Sequence, residues 1–237
     1  MHLHLFDIIR LVNLGTWQCV NHADAVSPTG KALVAGRPIS GAIGERGSRR
    51  PFKTRWTRGG FVFSHRNLRF RAEVPDSPPH SSHSSHSPDS SRPDDAIVPL
   101  DEVPFDDVLA YDRTCFPAAR EAFLRGWIRQ EEGLALGCLR QGRLGGFGVV
   151  RRCGEGCKIG PLFADDADAA EALYTRLAAF ASGGPLFLDV PENHPAAMAL
   201  AHRHGMAEVF GCARMYLGPA PGLVHKRIFG ITTFELG

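Results

Sequence analysis

Residues 157–190 read CKIGPLFADDADAAEALYTRLAAFASGGPLFLDV, and this stretch decides the fold. The run at 157–163 is an apolar strand with Pro161 inside it. Asp165 opens an amphipathic helix over 165–181, with Leu173, Leu177 and Phe180 on one face. Ser182-Gly183-Gly184 stops it, and the continuous apolar run at 186–190 marks a buried central strand.

Working outward, strands at 133–140 and 145–151 are joined at Gln141-Gly142-Arg143, a hairpin connection. Gly154-Glu155-Gly156 turns the chain into the strand at 157. Upstream lie a short strand at 96–100 and two helices, 104–115 and 118–130, separated by Phe116-Pro117. In the second helix Phe123/Trp127 and Leu124/Ile128 form a core-facing stripe. Downstream, Asn193 is the expected cap of a helix reaching His204, with Gly205 as its stop. Strands at 207–217 and 227–236 flank Pro219-Ala-Pro-Gly222. The order β-α-α-β-β-β-α-β-α-β-β over about 140 residues suffices for an independent domain.

The chain of 237 residues is nearly neutral, at +2, but unevenly so. Residues 1–95 carry 13 Lys/Arg and 8 Asp/Glu; the remaining 14 basic and 17 acidic groups of the totals 27 and 25 lie in 96–237. The division expected is a poorly structured leader (1–52), a basic aromatic segment (53–71), a Ser/Pro/His-rich linker (72–95) and a folded domain (96–237). Residues 77–95, SPPHSSHSSHSPDSSRPDD, have no apolar surface to bury. Residues 31–71 hold 11 basic residues and one acid among aromatics. Single-stranded nucleic-acid binding uses that composition, but no recognisable binding fold surrounds it, and nucleic acid is set aside as a partner.

No stretch approaches the ~20 apolar residues of a membrane span, and the apolar run near residue 3 lacks signal-peptide flanks. The six cysteines have no disulfide rhythm and suit a reducing, cytoplasmic setting. Cys153 and Cys157 read as shoulders of a hairpin, because no second pair completes four zinc ligands. No metal site is expected.

Several blocks carry a resemblance. Asp112-Arg-Thr-Cys-Phe-Pro117 with Arg120 and Phe123-Leu-Arg-Gly-Trp127 is the first. Lys158-Ile-Gly-Pro-Leu162, Leu188-Asp-Val-Pro-Glu-Asn193, Arg214-Met-Tyr216 and the ending Gly230-Ile-Thr-Thr-Phe-Glu-Leu-Gly237 follow in order. Together they resemble the GNAT acyltransferase superfamily, specifically the C-terminal domain of two-domain YitH-type N-acetyltransferases, over about 103–237. Gly60-Phe61 through Phe70 resembles the strand that closes a first domain in that family, which would make 53–71 the remnant of such a domain.

The resemblance implies an α/β fold (α+β, GNAT-like): a mixed, mostly antiparallel central sheet with two splayed parallel strands, flanked by helices. It also implies acetyl-CoA as co-substrate and a small-molecule or peptide amine as acceptor. The pantetheine would lie in the splay, against a free edge at Ile159, Gly160, Pro161 and Leu162, with Asn193 beside it. Pro161 cannot donate a ladder hydrogen bond, so a bulge or free edge is expected there. The diphosphate would sit on the N–H groups starting the next helix, where this chain has Ala164-Asp-Asp-Ala-Asp168. Carboxylates there satisfy those groups themselves and repel phosphate.

GNAT enzymes often carry a Tyr on the last helix as proton donor. Here that position falls near Ala201, and Tyr216 on the following strand is the replacement candidate. Glu131, Glu132, Asp189 and Glu192 are candidate bases at strand ends, of which Glu192 is carried forward. The alternative reading is a non-catalytic GNAT-fold module that recognises a substrate or partner through a degenerate coenzyme site.

Overall fold

A computed structural model describes residues 18–20, 32–34, 37–39, 61–76, 95–217 and 219–234. The tract at 77–94 and most of the 1–52 leader lie outside the described residues.

The strands are β1 (Gln18–Val20), β2 (Ala32–Val34), β3 (Arg37–Ile39), β4 (Phe61–Val74), β5 (Asp95–Pro99), β6 (Gly133–Arg140), β7 (Arg143–Arg152), β8 (Cys157–Ala164), β9 (Gly184–Pro191), β10 (Ala207–Leu217) and β11 (Ile228–Gly230). The helices are α1 (Phe105–Cys115), α2 (Glu121–Trp127), α3 (Ala167–Ala178) and α4 (Pro195–Arg203). One open sheet runs β1-β10-β4-β9-β8-β7-β6-β5, with β11 added on β8, while β2 and β3 pair separately. Its one parallel contact is β8 with β9; every other pairing is antiparallel. The mixed, mostly antiparallel sheet flanked by helices is the expected fold.

Local chemistry accounts for the frame. Gln141 and Gly142 have φ 49° and 72°, the two positive values that a type I′ hairpin needs to match strand twist. Asp166 caps α3 by accepting from the backbone of Asp168 and Ala169. One core, with Leu173, Leu177 and Leu200, lies under α3 and α4; another, with Val108, Leu124, Phe147 and Phe163, lies under α1 and α2.

Three details depart from expectation. His194, not Asn193, caps α4: its Nδ1 accepts from the Ala197 N–H at 2.9 Å, and Pro195 holds the first helical position. The second helix is shorter than 118–130, because Arg120 turns inward before it starts. The last strand spans only Ile228–Gly230 instead of 227–236, because the chain then leaves β8 and hands the Ile231 N–H to Asp189 on β9.

The strand β4 is a full member of this sheet. It lies between β9 and β10 in register from Asn67↔Pro191 to Val74↔Gly184 on one side, and along Phe61–Arg71 on the other. It therefore runs beyond residue 71 into the expected linker. Cys115, Cys138, Cys153 and Cys157 are free, whereas Cys212 is in a disulfide, contrary to the expectation of free thiols throughout.

Candidate functional site

Beyond the parallel pairs Cys157↔Leu186 to Ile159↔Leu188, β8 and β9 separate. Since β7 takes the other edge of β8, the edge from Gly160 to Phe163 faces the splay. The expected bulge is present there: Gly160 and Pro161 stand opposite Val149, between the pairs Val150↔Ile159 and Gly148↔Leu162. The expected free edge is not. The C-terminal segment runs antiparallel along it, with Ile228 opposite Phe163 and Gly230 opposite Leu162. Ile231 then donates to the Asp189 carbonyl at 2.9 Å, so the segment bridges both walls.

Each residue of the segment is held. Ile228, Phe229, Ile231, Thr232, Thr233 and Phe234 are buried. Arg120, clamped in two hydrogen bonds by the buried Asp112, donates from Nη1 to Thr232 Oγ1 at 3.1 Å. Trp127 Nε1 donates to the Gly160 carbonyl at 2.9 Å. The fully buried Asp189 binds Arg69 of β4 at 2.7 and 3.0 Å and also Lys158 of β8. The Phe234 ring covers this cluster, 4.4 Å from the Arg69 guanidinium and 5.4 Å from Lys158 Nζ. Burial pushes the Lys158 ammonium below its ordinary pKa, against the opposing pull of Asp189.

Contact between segment and wall is close. A Cβ on Gly160 would stand 2.4 Å from the Thr232 carbonyl oxygen. Burying the four large side chains Ile228, Phe229, Ile231 and Phe234 is worth about 6–12 kcal/mol gross, set against about 1–2 kcal/mol of chain entropy for each residue ordered. A coenzyme lying along this edge would have to displace the segment together with its backbone hydrogen bonds.

The start of α3 is filled in a similar way. Asp166 Oδ1 accepts from the N–H groups of Asp168 and Ala169 at 3.1 and 3.0 Å, and its carboxylate is paired with Arg140. The Arg140 hydrogen bond, together with those helix N–H groups, holds its pKa below the ordinary carboxylate range despite partial burial. Asp165 accepts from Tyr111 Oη at 3.0 Å and pairs with Arg227 at 2.8 Å.

Beside the segment a narrow crevice opens, lined by His65, Asn67, Phe116, Arg214, Tyr216 and His225 among others, with room for about one water. Arg214 is buried and donates from Nε to Tyr216 Oη at 3.2 Å. Asn67 is 1% exposed, and neither polar atom of its amide has a partner of full hydrogen-bond geometry, with the His65 ring close by. Desolvation, then the charges of His225 and Arg214, lower the His65 pKa to about 4. Desolvation, followed by His194 and Arg214, lowers that of His225.

The residues singled out in the sequence thus fall in two places. Ile159, Gly160, Pro161 and Leu162 are all buried; Ile159 pairs with Leu188 just before the splay opens, and Gly160 and Leu162 lie against the C-terminal segment. Tyr216 lines the crevice. Glu192 follows Pro191, which lines the crevice, and has both carboxylate oxygens taken by Arg66, each at 2.7 Å. Asn193 accepts from His225 Nε2 at 2.7 Å, and Ala201 is on the buried face of α4. Residues not foreseen in these roles are His65, Asn67, Arg69, Thr232 and Phe234, although all five lie in the stretches 60–70 and 230–237 that carried the resemblance. Among the described residues no three His, Cys, Asp or Glu side chains gather at metal-binding geometry, and no helix is long and apolar enough to cross a membrane.

A helix-flanked, mostly antiparallel sheet with one parallel pair that splays partway defines an acyltransferase-type architecture. The description "Acetyltransferase (GNAT) domain" matches residues 108–230, just over half of the chain. The chain belongs to the GNAT acetyltransferase family. It is 30% identical over 110 residues to the uncharacterised N-acetyltransferase YitH of Bacillus subtilis, covering 46% of this chain and 39% of that protein. It is 27% identical over 135 residues to the holothin acyltransferase of a Pseudoalteromonas species, covering 56% and 45%. The chain therefore spans less than half the length of both curated relatives. A solved structure from Pyrococcus horikoshii, described as an acetyltransferase, superposes with TM-score 0.57 at 23% identity, over 81% of this chain and 58% of that one, a likeness of fold.

Proposed function

We propose that the protein transfers an acyl group from an acyl-CoA, with acetyl-CoA the first choice, to the nitrogen of a small-molecule or peptide amine. Family membership across 108–230 is the observation that carries this reading, and the N-acetyltransferase and acyltransferase names of the two curated relatives support the reaction class. On this reading the acceptor nitrogen meets the domain at the mouth of the crevice, whose interior has room for about one water. Tyr216 presents its phenol there, oriented by Arg214. Glu192 has both oxygens on Arg66, so acting as the base would require it to give up one of these bonds. Acetyl-CoA does not fit the residues expected to receive it, since Gly160 and Leu162 already carry the C-terminal segment and Ile159 is paired with Leu188. No step is routed through them.

The test is release of free CoA thiol from acetyl-CoA in the presence of a panel of primary amines. Turnover above the uncatalysed rate is expected; its absence for every amine overturns the proposal for this chain. A second reading, a recognition domain without catalysis, draws on the occupied splay alone, and family membership supports the first.

A further inference from the structure

We infer that this domain carries a built-in substitute for the coenzyme at both of the places where one would lie, so that its splay is a closed structural joint and not a coenzyme site. Two independent sets of contacts carry the inference. In the splay, residues 228–230 supply the strand that pairs with the open edge of β8, and the Ile231 N–H reaches the Asp189 carbonyl across the gap. At the start of α3, the Asp166 carboxylate takes the N–H groups of Asp168 and Ala169, the donors an incoming phosphate would need. It also brings an acidic group where a diphosphate would arrive.

The residues that hold the segment span the whole fold. Arg120, held by Asp112 in the α1–α2 region, donates to Thr232. Trp127 at the end of α2 takes the Gly160 carbonyl. Arg69 of β4, Lys158 of β8 and Asp189 of β9 meet beneath Phe234. Asp112, Arg120, Trp127, Lys158, Gly160, Asp189, Thr232 and Phe234 all fall in the sequence blocks that carry the family resemblance. In this chain those blocks converge on closing the splay. Each forms part of one lock in which the first described long strand and the last described residues are joined through Asp189. The inference rests on the fold and the contacts, not on the proposed activity.

The test uses the full chain with acetyl-CoA as probe. Calorimetric titration is combined with methyl-resolved NMR of Ile159, Leu162, Ile228 and Ile231. The expected result is that these four methyl signals stay unchanged at millimolar acetyl-CoA. Heat without movement of these signals also supports the inference, because the coenzyme is then bound elsewhere. Saturable shifts of these methyl groups, or loss of the Ile228 and Ile231 signals into a mobile state, would overturn it. Failure of the proposed function reads out separately, as absent thiol release with the methyl signals unmoved.

Discussion

Asp189 binds Ile231 through its main chain and Arg69 through its side chain: the carbonyl accepts from the Ile231 N–H at 2.9 Å, and the carboxylate accepts from Arg69 at 2.7 and 3.0 Å. One residue of the central strand thus fastens the C-terminal segment and the strand β4 to the same point. The segment closing the splay and β4 completing the sheet are therefore coupled.

Replacing Asp189 by Asn leaves Arg69 and Lys158 in a buried cluster without their carboxylate. Breaking one side of such a cluster costs about 3–5 kcal/mol. Urea denaturation should show a midpoint lowered accordingly. The double variant Asp189→Asn/Lys158→Met should recover part of the loss, and no change in midpoint for Asp189→Asn would contradict the role given to this cluster.

Gly160 has no room for a side chain. A Cβ there would meet the Thr232 carbonyl oxygen at 2.4 Å and that of Ile231 at 2.8 Å, both backbone atoms. Gly160→Ala should destabilise by about 2–4 kcal/mol and raise proteolytic cleavage in 228–234. Gly142→Ala is expected to cost less, because its Cβ direction is open and the penalty arises only from φ 72°.

Stability should fall on mild acidification. His65 titrates near pH 4 in the folded chain, against an ordinary 6.5, chiefly through desolvation. Between these values the unfolded chain binds a proton that the folded chain does not, so the contribution is present above pH 6.5 and is lost as pH drops toward 4. His225 shifts in the same direction. A loss of about 2 kcal/mol is expected for His65 after allowance for screening, measured as the denaturation midpoint between pH 7 and 4. A His65→Gln variant should show a flatter profile.

Thiol chemistry should be selective. Burial pushes the Cys115 thiol up to about 12, and Cys138 and Cys157 are buried, whereas Cys153 is partly exposed. Iodoacetamide under native conditions should alkylate Cys153 well before the other three, as read by mass spectrometry of peptides. Rapid labelling of Cys115 would contradict the packing under α1.

Much of the frame was legible because it is local. The 141–142 turn, the apolar run at 186–190 and the acidic start of α3 each declare themselves within a few residues. The Asn193 cap was misread because Asn outranks His as a capping residue; Pro195 at the first helical position was the signal for residue 194. The strand expected over 227–236 was cut short because β-branched and aromatic residues mark burial in extended chain without naming the partner, and here the chain changes partner at Ile231. The closed splay depends on contacts across the whole fold, such as Arg120 with Thr232 and Arg69 with Asp189. No local pattern announces those. His65 and Asn67 belong to the site only because β4 enters the sheet from a distant part of the chain.

The most direct test of the closed splay is native-state hydrogen exchange of the Ile231 amide across a low-denaturant series. A permanent joint opens only with the fold, so the predicted result is an opening free energy for Ile231 equal to that of global unfolding and equal to that of Leu188 in the core of β9. An Ile231 amide that exchanges through a local opening several kcal/mol below the global value would contradict the account, because the segment would then be a strand that comes and goes.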